Sequence, residues 1–278
     1  MALVIGATGT VGAEVVSQLV AQGARPRAFV RDITAARRRL GEQPELVVGD
    51  LDRPETIEAA LNGADRVFLV TTQSSRQPEW EDSVIEVATG AGVAHLVKLS
   101  VFRAHEDSPL QVARQHRRSE LALERSTLAW TILRPVFFME NLRAMVRDDA
   151  LFTAAVDGRV AMIDSRDIAA VAAAALTSAG HEGNTYTLTG PEALSFDDVA
   201  RRLSEHVGRR IRHVRVAGGD VRNGLLARGV APWFADDMAK LHGMLADGYE
   251  DVVTEDVHTV TGKPARSFTQ FMRDGAGV

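Results

Sequence analysis

Three evenly spaced glycines near the amino terminus constrain this chain more than any other feature. Gly6, Gly9 and Gly12 follow a short apolar run, Ala2 to Ile5, that is long enough for one buried strand. An amphipathic stretch, Ala13 to Gln22, comes next and has the apolar spacing of a helix. Strand, glycine turn and helix in this order bring free backbone N–H groups and a positive helix end together, which suits the pyrophosphate of a dinucleotide.

The spacing of the glycines is weaker evidence than their position. It is G-x-x-G-x-x-G, whereas the commoner dinucleotide fingerprint is G-x-G-x-x-G. A glycine triplet that connects a strand to a helix at the start of the chain nevertheless predicts a dinucleotide site. The alternative is a glycine-rich turn that binds nothing.

Composition narrows the class of protein. The 278 residues, 45% hydrophobic and 25% charged, provide enough core for one large α/β domain or a domain with a smaller lobe. A net charge of −5 gives no general attraction to nucleic acid or anionic lipid. The absence of cysteine excludes disulfides, thiolate zinc sites and cysteine nucleophiles. With no signal peptide before the first strand and no apolar run of membrane-spanning length, we expect a cytoplasmic protein.

Short apolar strands alternate with helical segments through the first half of the chain. After the first strand and helix, further strands are predicted at 27–31, 45–52, 66–70, 94–99 and 129–135. Helices are predicted at 56–61, 81–90 and 110–125. This alternation predicts an α/β fold with a doubly wound parallel sheet. Because right-handed crossovers place the strand ends on one edge, the polar segment 71–75 is expected in the ligand crevice.

Arg31 bears on the choice of dinucleotide. It lies about 20 residues beyond the glycines, where an acidic residue binds the ribose 2′-OH of NAD and an arginine accommodates the 2′-phosphate of NADP. Arg31 therefore favours NADP, although Asp32 follows directly and NAD stays possible. Arg37 to Arg39 have the alternative role of a solvated face on a short helix. Asp50 and Leu51 end the third strand, where a loop can reach the adenine.

The second half of the chain is less regular. The segment 136–142 is unusually apolar and aromatic for a loop, and it either covers a nicotinamide or aromatic substrate or belongs to the core. Further on, the sequence predicts helices at 168–178 and 199–207, the second capped by the segment 195–198, and strands at 185–189 and 211–216. Residues 220–278 are predicted to form helices with loops.

Five motifs together resemble the NmrA-like, atypical branch of the short-chain dehydrogenase/reductase superfamily, in particular its bacterial NADPH-dependent quinone reductases and triphenylmethane reductases. They are Val4 to Gly12, Val30-Arg31-Asp32, Gly49-Asp50-Leu51, Ile132 to Pro135 followed by Phe138 to Asn141, and Ile163 to Ala169. The resemblance extends from residue 1 to about residue 205. It implies a Rossmann domain that binds NADP, residues 1–135, and a smaller C-terminal α/β substrate lobe, residues 136–278. Some strands and helices of the lobe return to the Rossmann core, and a cleft separates the two domains.

The resemblance also implies site residues. The cofactor-binding set that it implies is Gly6, Thr8, Gly9, Thr10, Val11, Gly12, Arg31, Asp50, Leu51, Thr71, Thr72 and Pro135. The substrate-binding set is Phe137, Phe138 and Asn141.

The usual acid–base pair of the superfamily is missing. That pair is Tyr-x-x-x-Lys, but neither Tyr186 nor Tyr249 is followed by a lysine four residues later. His116 and Glu120 occupy the corresponding helix at i and i+4, and the quinone-reductase-like branch has the same His…Glu pattern. Our hypothesis is that His116, oriented by Glu120, protonates the reduced substrate, since an imidazole titrates near neutral pH. The alternative is an ordinary structural pair.

These features predict an NAD(P)H-dependent oxidoreductase that transfers hydride to a quinone-like or polycyclic aromatic acceptor. One alternative is a redox sensor that binds NADP and regulates a partner without turnover. Another is a tailoring enzyme for oxygenation or epimerisation in aromatic natural-product biosynthesis. We expect a small aromatic substrate, no metal, no nucleic acid and no membrane, and a monomer or a homodimer. The sequence contains neither a His-Glu-x-x-His motif nor a nucleophile elbow.

Overall fold

The computed structural model describes residues 1–276. The strands in chain order are β1 (Ala2–Ile5), β2 (Arg27–Val30), β3 (Glu45–Val48), β4 (Arg66–Leu69), β5 (His95–Leu99), β6 (Ala129–Pro135), β7 (Val146–Arg147), β8 (Ala150–Thr153), β9 (Arg159–Val160), β10 (Asn184–Leu188), β11 (Leu194–Ser195) and β12 (Arg212–Arg215). The helices are α1 (Thr10–Ala21), α2 (Ile33–Leu40), α3 (Pro54–Leu61), α4 (Gln77–Gly90), α5 (Gln111–Arg125), α6 (Leu142–Met145), α7 (Ser165–Thr177), α8 (Phe196–Val207), α9 (Gly218–Leu226), α10 (Pro232–Ala246), α11 (Asp256–Thr261) and α12 (Phe268–Phe271).

Seven strands form one sheet in the order β10-β6-β5-β4-β1-β2-β3. Successive pairs from β6 to β3 are parallel, and helices connect the strands. The strand order turns back at β1 and β4, so the chain winds outward in both directions from the middle of the sheet. The predicted doubly wound α/β fold is confirmed, and the carboxyl ends of the strands share one edge.

Five helices begin two to four residues earlier than the sequence pattern predicts, among them α3 at Pro54 and α8 at Phe196. Helix α1 begins at Thr10 and not at Ala13, because Gly9 takes the N-cap position and the last glycine lies inside the first turn. Helix α4 begins at Gln77 and not at residue 81, with a proline in its first turn, where a missing N–H costs nothing. Helix α7 begins at Ser165 and not at Ile168. Hydrophobic periodicity misses these starts because first turns are rich in glycine, proline and polar residues, which interrupt the apolar spacing.

The chain forms two compact units, each assembled from three segments. The first unit contains residues 1–106, 115–134 and 165–186. Its core includes Leu3, Ile5, Leu69 and Leu96 from the strands and Leu123 from α5. The functional division at residues 135 and 136 into a cofactor domain and a substrate lobe stays a prediction.

The second unit contains residues 107–114, 135–164 and 187–278. It has a three-stranded sheet in the order β12-β8-β7 and an antiparallel pair of β9 and β11. Within the segment predicted to cap α8, Ser195 is the N-cap and forms a capping box with Asp198, and the helix itself begins at Phe196. The core is formed by apolar side chains of these elements, with Phe196, Phe268 and Phe271 fully buried.

Helix α5 is highly charged, yet it is not simply a solvated element. His116, Ser119, Glu120 and Leu123 recur at three- and four-residue spacing and are buried. Arg114 and Arg118 lie on the exposed side. A helix that buries a histidine and a glutamate must give them polar partners, because an unpaired buried charge is very costly.

Candidate functional site

The three glycines of the first turn have separate structural roles. Gly6 has φ +74°, a left-handed conformation, and a Cβ there would lie less than 3.0 Å from the carbonyl oxygen of Val70. A Cβ on Gly12 would lie less than 3.0 Å from the carbonyl oxygen of Gly6, so α1 approaches the turn at a distance that only glycine permits. The N–H of Gly9 donates to Gly6 O at 3.0 Å and closes the turn.

The amino end of α1 is open to a ligand. Thr8, Gly9 and Thr10 are exposed, and Val11 is buried. Gly9 provides no capping side chain, and the first turn of α1 contains no acidic residue. The first N–H groups of a helix have no acceptor within it, so this end favours an anion such as a pyrophosphate.

Arg31 and Asp32 follow β2 and have different surroundings. The carboxylate of Asp32 accepts the N–H of Ala35 at 3.0 Å and caps α2. Arg31 is exposed directly beyond the strand end. Arg37, Arg38 and Arg39 lie in the last turn of α2 and are exposed, as expected for a solvated helix face. Because Asp32 already has a helix-capping role, Arg31 is the better candidate for the residue that selects the dinucleotide.

We expect Arg31→Ala to weaken NADPH binding about 10-fold or more while NADH binding changes little. The physical reason is the loss of one charge-assisted contact to the 2′-phosphate, worth about 1.5–3 kcal/mol. Fluorescence titration with both cofactors measures the ratio of the two dissociation constants. Arg38→Ala, on the exposed face of α2, is the matched control. An equal loss of NADH and NADPH binding in Arg31→Ala would contradict this assignment.

Asp50 and Leu51 lie beside the end of β2, because β2 and β3 are paired and Gly49 N–H donates to Val30 O at 3.0 Å. The backbone of Asp50 exchanges hydrogen bonds with the Thr56 hydroxyl at 3.0 and 2.9 Å, which fixes the loop to the start of α3. The structure therefore brings the glycine turn and the segments at residues 31 and 50 to adjacent strand ends. Thr71 and Thr72 follow β4, on the other side of β1.

Five polar side chains meet at β5 and the residues after β4; we call them the buried polar cluster: Thr71, Gln77, Glu81, Lys98 and His116. Glu81 is its centre. Its Oε2 lies 2.6 Å from Lys98 Nζ, and its Oε1 accepts from Thr71 Oγ1 at 2.9 Å and from Gln77 Nε2 at 3.2 Å. Glu81 and Lys98 are both fully buried, at 0% exposure. Burial alone would raise the pKa of Glu81, but the positive charge of Lys98 opposes this effect and helps to hold that pKa below its usual value.

His116 belongs to this cluster and is neutral at physiological pH. Lys98 Nζ donates to its Nδ1 at 3.2 Å, and Gln77 Nε2 lies 3.1 Å from its Nε2. Burial, followed by the positive charge of Lys98, lowers the pKa of His116 to about 4 against smaller opposing effects of Glu81 and Glu120. The expectation that His116 titrates near neutral pH is wrong for this reason.

Glu120 has different partners from His116. It accepts from Ser100 Oγ at 2.6 Å and from Arg134 Nε at 2.9 Å, and Arg117 Nη1 lies 3.0 Å from it. Burial opposes the charge of Glu120, yet the hydrogen bonds from Arg134 and Ser100 keep its pKa below the usual value. The predicted orientation of His116 by Glu120 is thus replaced by contacts with Lys98 and Gln77. A catalytic role for either residue stays a prediction.

Buried neutral histidines predict a loss of stability in acid. His242, in the second unit, accepts the N–H of Ala154 at 3.2 Å, and burial lowers its pKa to about 4 from 6.5. Between these values the unfolded chain binds the proton and the folded chain does not, so stability is full above pH 6.5 and falls as the pH approaches 4. Lowering the pH from about 7 to about 5 should therefore reduce the free energy of unfolding by about 2 kcal/mol for each of the two histidines, His116 and His242.

Thermal unfolding of wild type and His242→Gln across this pH range tests the prediction. Glutamine keeps an acceptor for the Ala154 N–H but does not titrate. We expect a shallower decline of the melting temperature in the variant, and parallel declines would contradict the assignment.

The predicted substrate residues lie in the second unit with Pro135. The ring of Phe137 packs edge-on against Phe196 at 6.4 Å between centroids, and its N–H donates to Glu250 Oε2 at 2.8 Å. Phe137 therefore takes part in the core of this unit, which was the alternative for an aromatic loop. Phe138 is half-buried in a bridge to Ile163, and Asn141 is exposed. Contact of these residues with a substrate stays a prediction.

Five polar residues of this region were not predicted from the sequence: Gln77, Glu81, Lys98, Ser100 and Arg134. One signal was present: Lys98 interrupts the apolar strand sequence Leu96-Val97-Lys98-Leu99. A lysine inside a buried strand requires an ionised partner, although the sequence does not say which carboxylate supplies it.

Fold and site together define a Rossmann-type protein that binds a dinucleotide. The family model described as NAD(P)H-binding matches residues 6–179, more than half of the chain. The chain belongs to this NAD(P)H-binding family.

Known relatives are NAD(P)H reductases. The chain is 38% identical to an NAD(P)H azoreductase of Xenophilus azovorans over 282 aligned residues, which cover 100% of this chain and 99% of the relative. It is similar in structure to the Citrobacter sp. triphenylmethane reductase complexed with NADP(H), with a TM-score of 0.87, 26% identity and 100% of both chains covered. It is also similar to the Escherichia coli quinone oxidoreductase QOR2 complexed with NADPH, with a TM-score of 0.88, 25% identity and 99% of both chains covered.

These relationships confirm the resemblance that the five motifs indicated, and the protein is an NAD(P)H-dependent oxidoreductase of the atypical short-chain dehydrogenase/reductase type. Within residues 1–276, no helix combines the length and apolar character that a bilayer crossing requires. In the same residues, no group of three or more histidine and carboxylate side chains is arranged to hold a metal ion.

Proposed function

We propose that this protein uses NADPH to reduce conjugated, electron-poor acceptors such as quinones, azo dyes, triphenylmethane dyes or other polycyclic aromatics. The observation that carries the proposal is the end-to-end similarity to an NAD(P)H azoreductase. We place the protein in the cytoplasm, as a monomer or a homodimer acting on a small aromatic molecule.

The residues of the chain support such a reaction. The glycine turn and the amino end of α1 would hold the pyrophosphate, Arg31 the 2′-phosphate, and the segments at residues 50 and 71 the two ends of the dinucleotide. Bound NADPH supplies the hydride. Positioning of the acceptor then provides most of the rate through orientation.

The missing tyrosine–lysine pair is consistent with this class of acceptor. Hydride addition to a quinone leaves negative charge spread over several atoms, and solvent can deliver the proton. Hydride addition to a cationic triphenylmethane dye gives a neutral product, so neither reaction needs a strong protein acid. His116 has a pKa lowered to about 4, so at neutral pH it has already lost the proton that it would have to donate. Simple ketones, whose alkoxide products need a proton donor, are therefore expected to be poor substrates.

The test is NADPH oxidation, followed by the absorbance of the reduced nicotinamide, against a panel of quinones, azo dyes and triphenylmethane dyes, with simple ketones as negative controls. NADH is run in parallel. We expect turnover with conjugated acceptors and a preference for NADPH. Tight NADPH binding without turnover on any acceptor would overturn the proposal and favour the redox sensor.

A further inference from the structure

Two hydroxyls at neighbouring strand ends are each bonded to a buried carboxylate. Thr71 follows β4 by two residues, and its Oγ1 donates to Glu81 Oε1 at 2.9 Å. Ser100 follows β5 directly, and its Oγ donates to Glu120 Oε1 at 2.6 Å. Glu81 and Glu120 are both 0% exposed. The same arrangement thus occurs twice along the sheet edge.

The ionised state of Glu81 decides the direction of its hydrogen bond with Thr71. The ammonium of Lys98 lies 2.6 Å from Oε2, and the Gln77 amide donates to Oε1. A carboxylate with these partners has only acceptor positions. The single proton of the Thr71 hydroxyl is therefore committed to Glu81, and the oxygen has only lone pairs left. Thr71 is half-buried, so part of the residue lies at the surface.

Strand order indicates which part of a dinucleotide meets Thr71. Arg31 and Asp50 follow β2 and β3, on one side of the glycine turn, which is the side of the adenosine half. β4 lies on the other side of β1, so the nicotinamide riboside half passes its end. This half offers hydrogen-bond donors in its carboxamide N–H2 and its ribose hydroxyls.

We propose that the Glu81–Lys98 pair makes the Thr71 hydroxyl an obligate hydrogen-bond acceptor that recognises a donor on the nicotinamide riboside half of the cofactor. Glu81 and Lys98 are thus positioning residues that act through Thr71. The inference rests on the proposed function in one respect, that Thr71 lies against the bound dinucleotide. It does not depend on the identity of the acceptor, because it concerns cofactor binding alone.

The experiment is a double-mutant cycle on NADP⁺ binding, measured by calorimetry without any acceptor. Thr71→Val removes the hydroxyl at constant shape, and Glu81→Gln replaces the carboxylate with an amide that can donate to Thr71 and free its proton. We expect each variant to bind NADP⁺ about 10-fold more weakly, which is the value of one hydrogen bond. The combined variant should be no weaker than Thr71→Val alone, because both changes remove the same contact.

Adenosine 2′,5′-bisphosphate, which lacks the nicotinamide half, is the internal control, and its affinity should be the same in all variants. The 3-acetylpyridine analogue of NADP⁺ separates the two donors, since it has no carboxamide N–H. Insensitivity of the analogue to Glu81→Gln supports the carboxamide as donor, and equal sensitivity supports the ribose hydroxyl. Where Glu81→Gln alone folds poorly, Glu81→Gln with Lys98→Met provides the same test with a neutral pair.

Three results would overturn the proposal: no change in Thr71→Val, additive losses in the cycle, or an equal loss of adenosine 2′,5′-bisphosphate binding. None of them bears on whether the wild-type protein reduces dyes or quinones. Failure of the acceptor panel, conversely, would leave the binding cycle fully interpretable.

Discussion

Replacement of Lys98 with methionine should lower the free energy of unfolding by about 3–5 kcal/mol, the usual cost of leaving one member of a buried ion pair alone. Methionine replaces the aliphatic part of the lysine side chain but removes the charge that lies 2.6 Å from Glu81 Oε2. The Glu81 carboxylate would then be buried without a counter-ion, and His116 would lose its donor at Nδ1. Chemical denaturation followed by circular dichroism measures the change.

Two controls show whether the loss comes from the unpaired charge. Arg118→Met removes a cation from an ion pair with Asp82 on the surface, 2.9 Å apart, and should cost less than about 1 kcal/mol. The double variant Lys98→Met with Glu81→Gln removes both charges and should recover most of the lost stability. If Lys98→Met were no less stable than Arg118→Met, the pair would contribute little to the fold.

Gly12→Ala should abolish most cofactor binding, with a loss on the order of 100-fold, equivalent to roughly 3 kcal/mol. The added Cβ would meet the Gly6 carbonyl oxygen, a backbone atom that cannot rotate away. Helix α1 must then move from the turn, and its N–H groups leave the place where the pyrophosphate would bind. Titration of the protein with NADPH measures the loss.

Gly9 and Gly90 provide graded controls for this effect. A Cβ on Gly9 would lie 3.3 Å from Gly6 O, a tight but tolerable contact, so Gly9→Ala should weaken binding only modestly. Gly90, the last residue of α4, has no atom within 4 Å of the added Cβ, and Gly90→Ala should bind NADPH normally. Equal affinities of all three variants would show that close packing at Gly12 is unimportant for the cofactor.

Local patterns in the sequence were sufficient for the sheet and for the first turn. Apolar runs bounded by glycine, proline and polar residues located the strands, because strand burial leaves a direct mark on residue type. Around Arg31 and Asp32 the sequence was ambiguous, since both residues suit a cofactor role. The hydrogen bond from the Ala35 N–H to Asp32 favours Arg31 as the cofactor residue, and a capping contact of this kind depends on where the helix begins.

The buried polar cluster could not be predicted, because its members are distant in sequence. Lys98 and His116 are separated by 18 residues, and Gln77 and His116 by 39. Sequence spacing suggested the pair His116 and Glu120 on one helix face, and both residues are indeed buried on α5. Apart from Arg117, however, their polar partners come from other elements, and burial together with the charge of Lys98 lowers the pKa of His116. Spacing along α5 therefore predicted correctly that His116 and Glu120 share a buried helix face, but it did not predict which residues they contact.

The three-segment construction of the first unit affects how the protein is made. Helix α7 packs on α1, and Gln18 Nε2 donates to Arg166 O at 2.7 Å, although the two residues are 148 positions apart. A nascent chain that has reached the end of β6 contains six of the seven sheet strands but neither α7 nor β10. Synthesis must continue for about 50 further residues before β10 is complete. At about 5–20 residues per second, that delay lasts roughly 3–10 s. During this interval the apolar face that α7 covers has no partner in the chain, and hydrophobic surface exposed in this way favours aggregation.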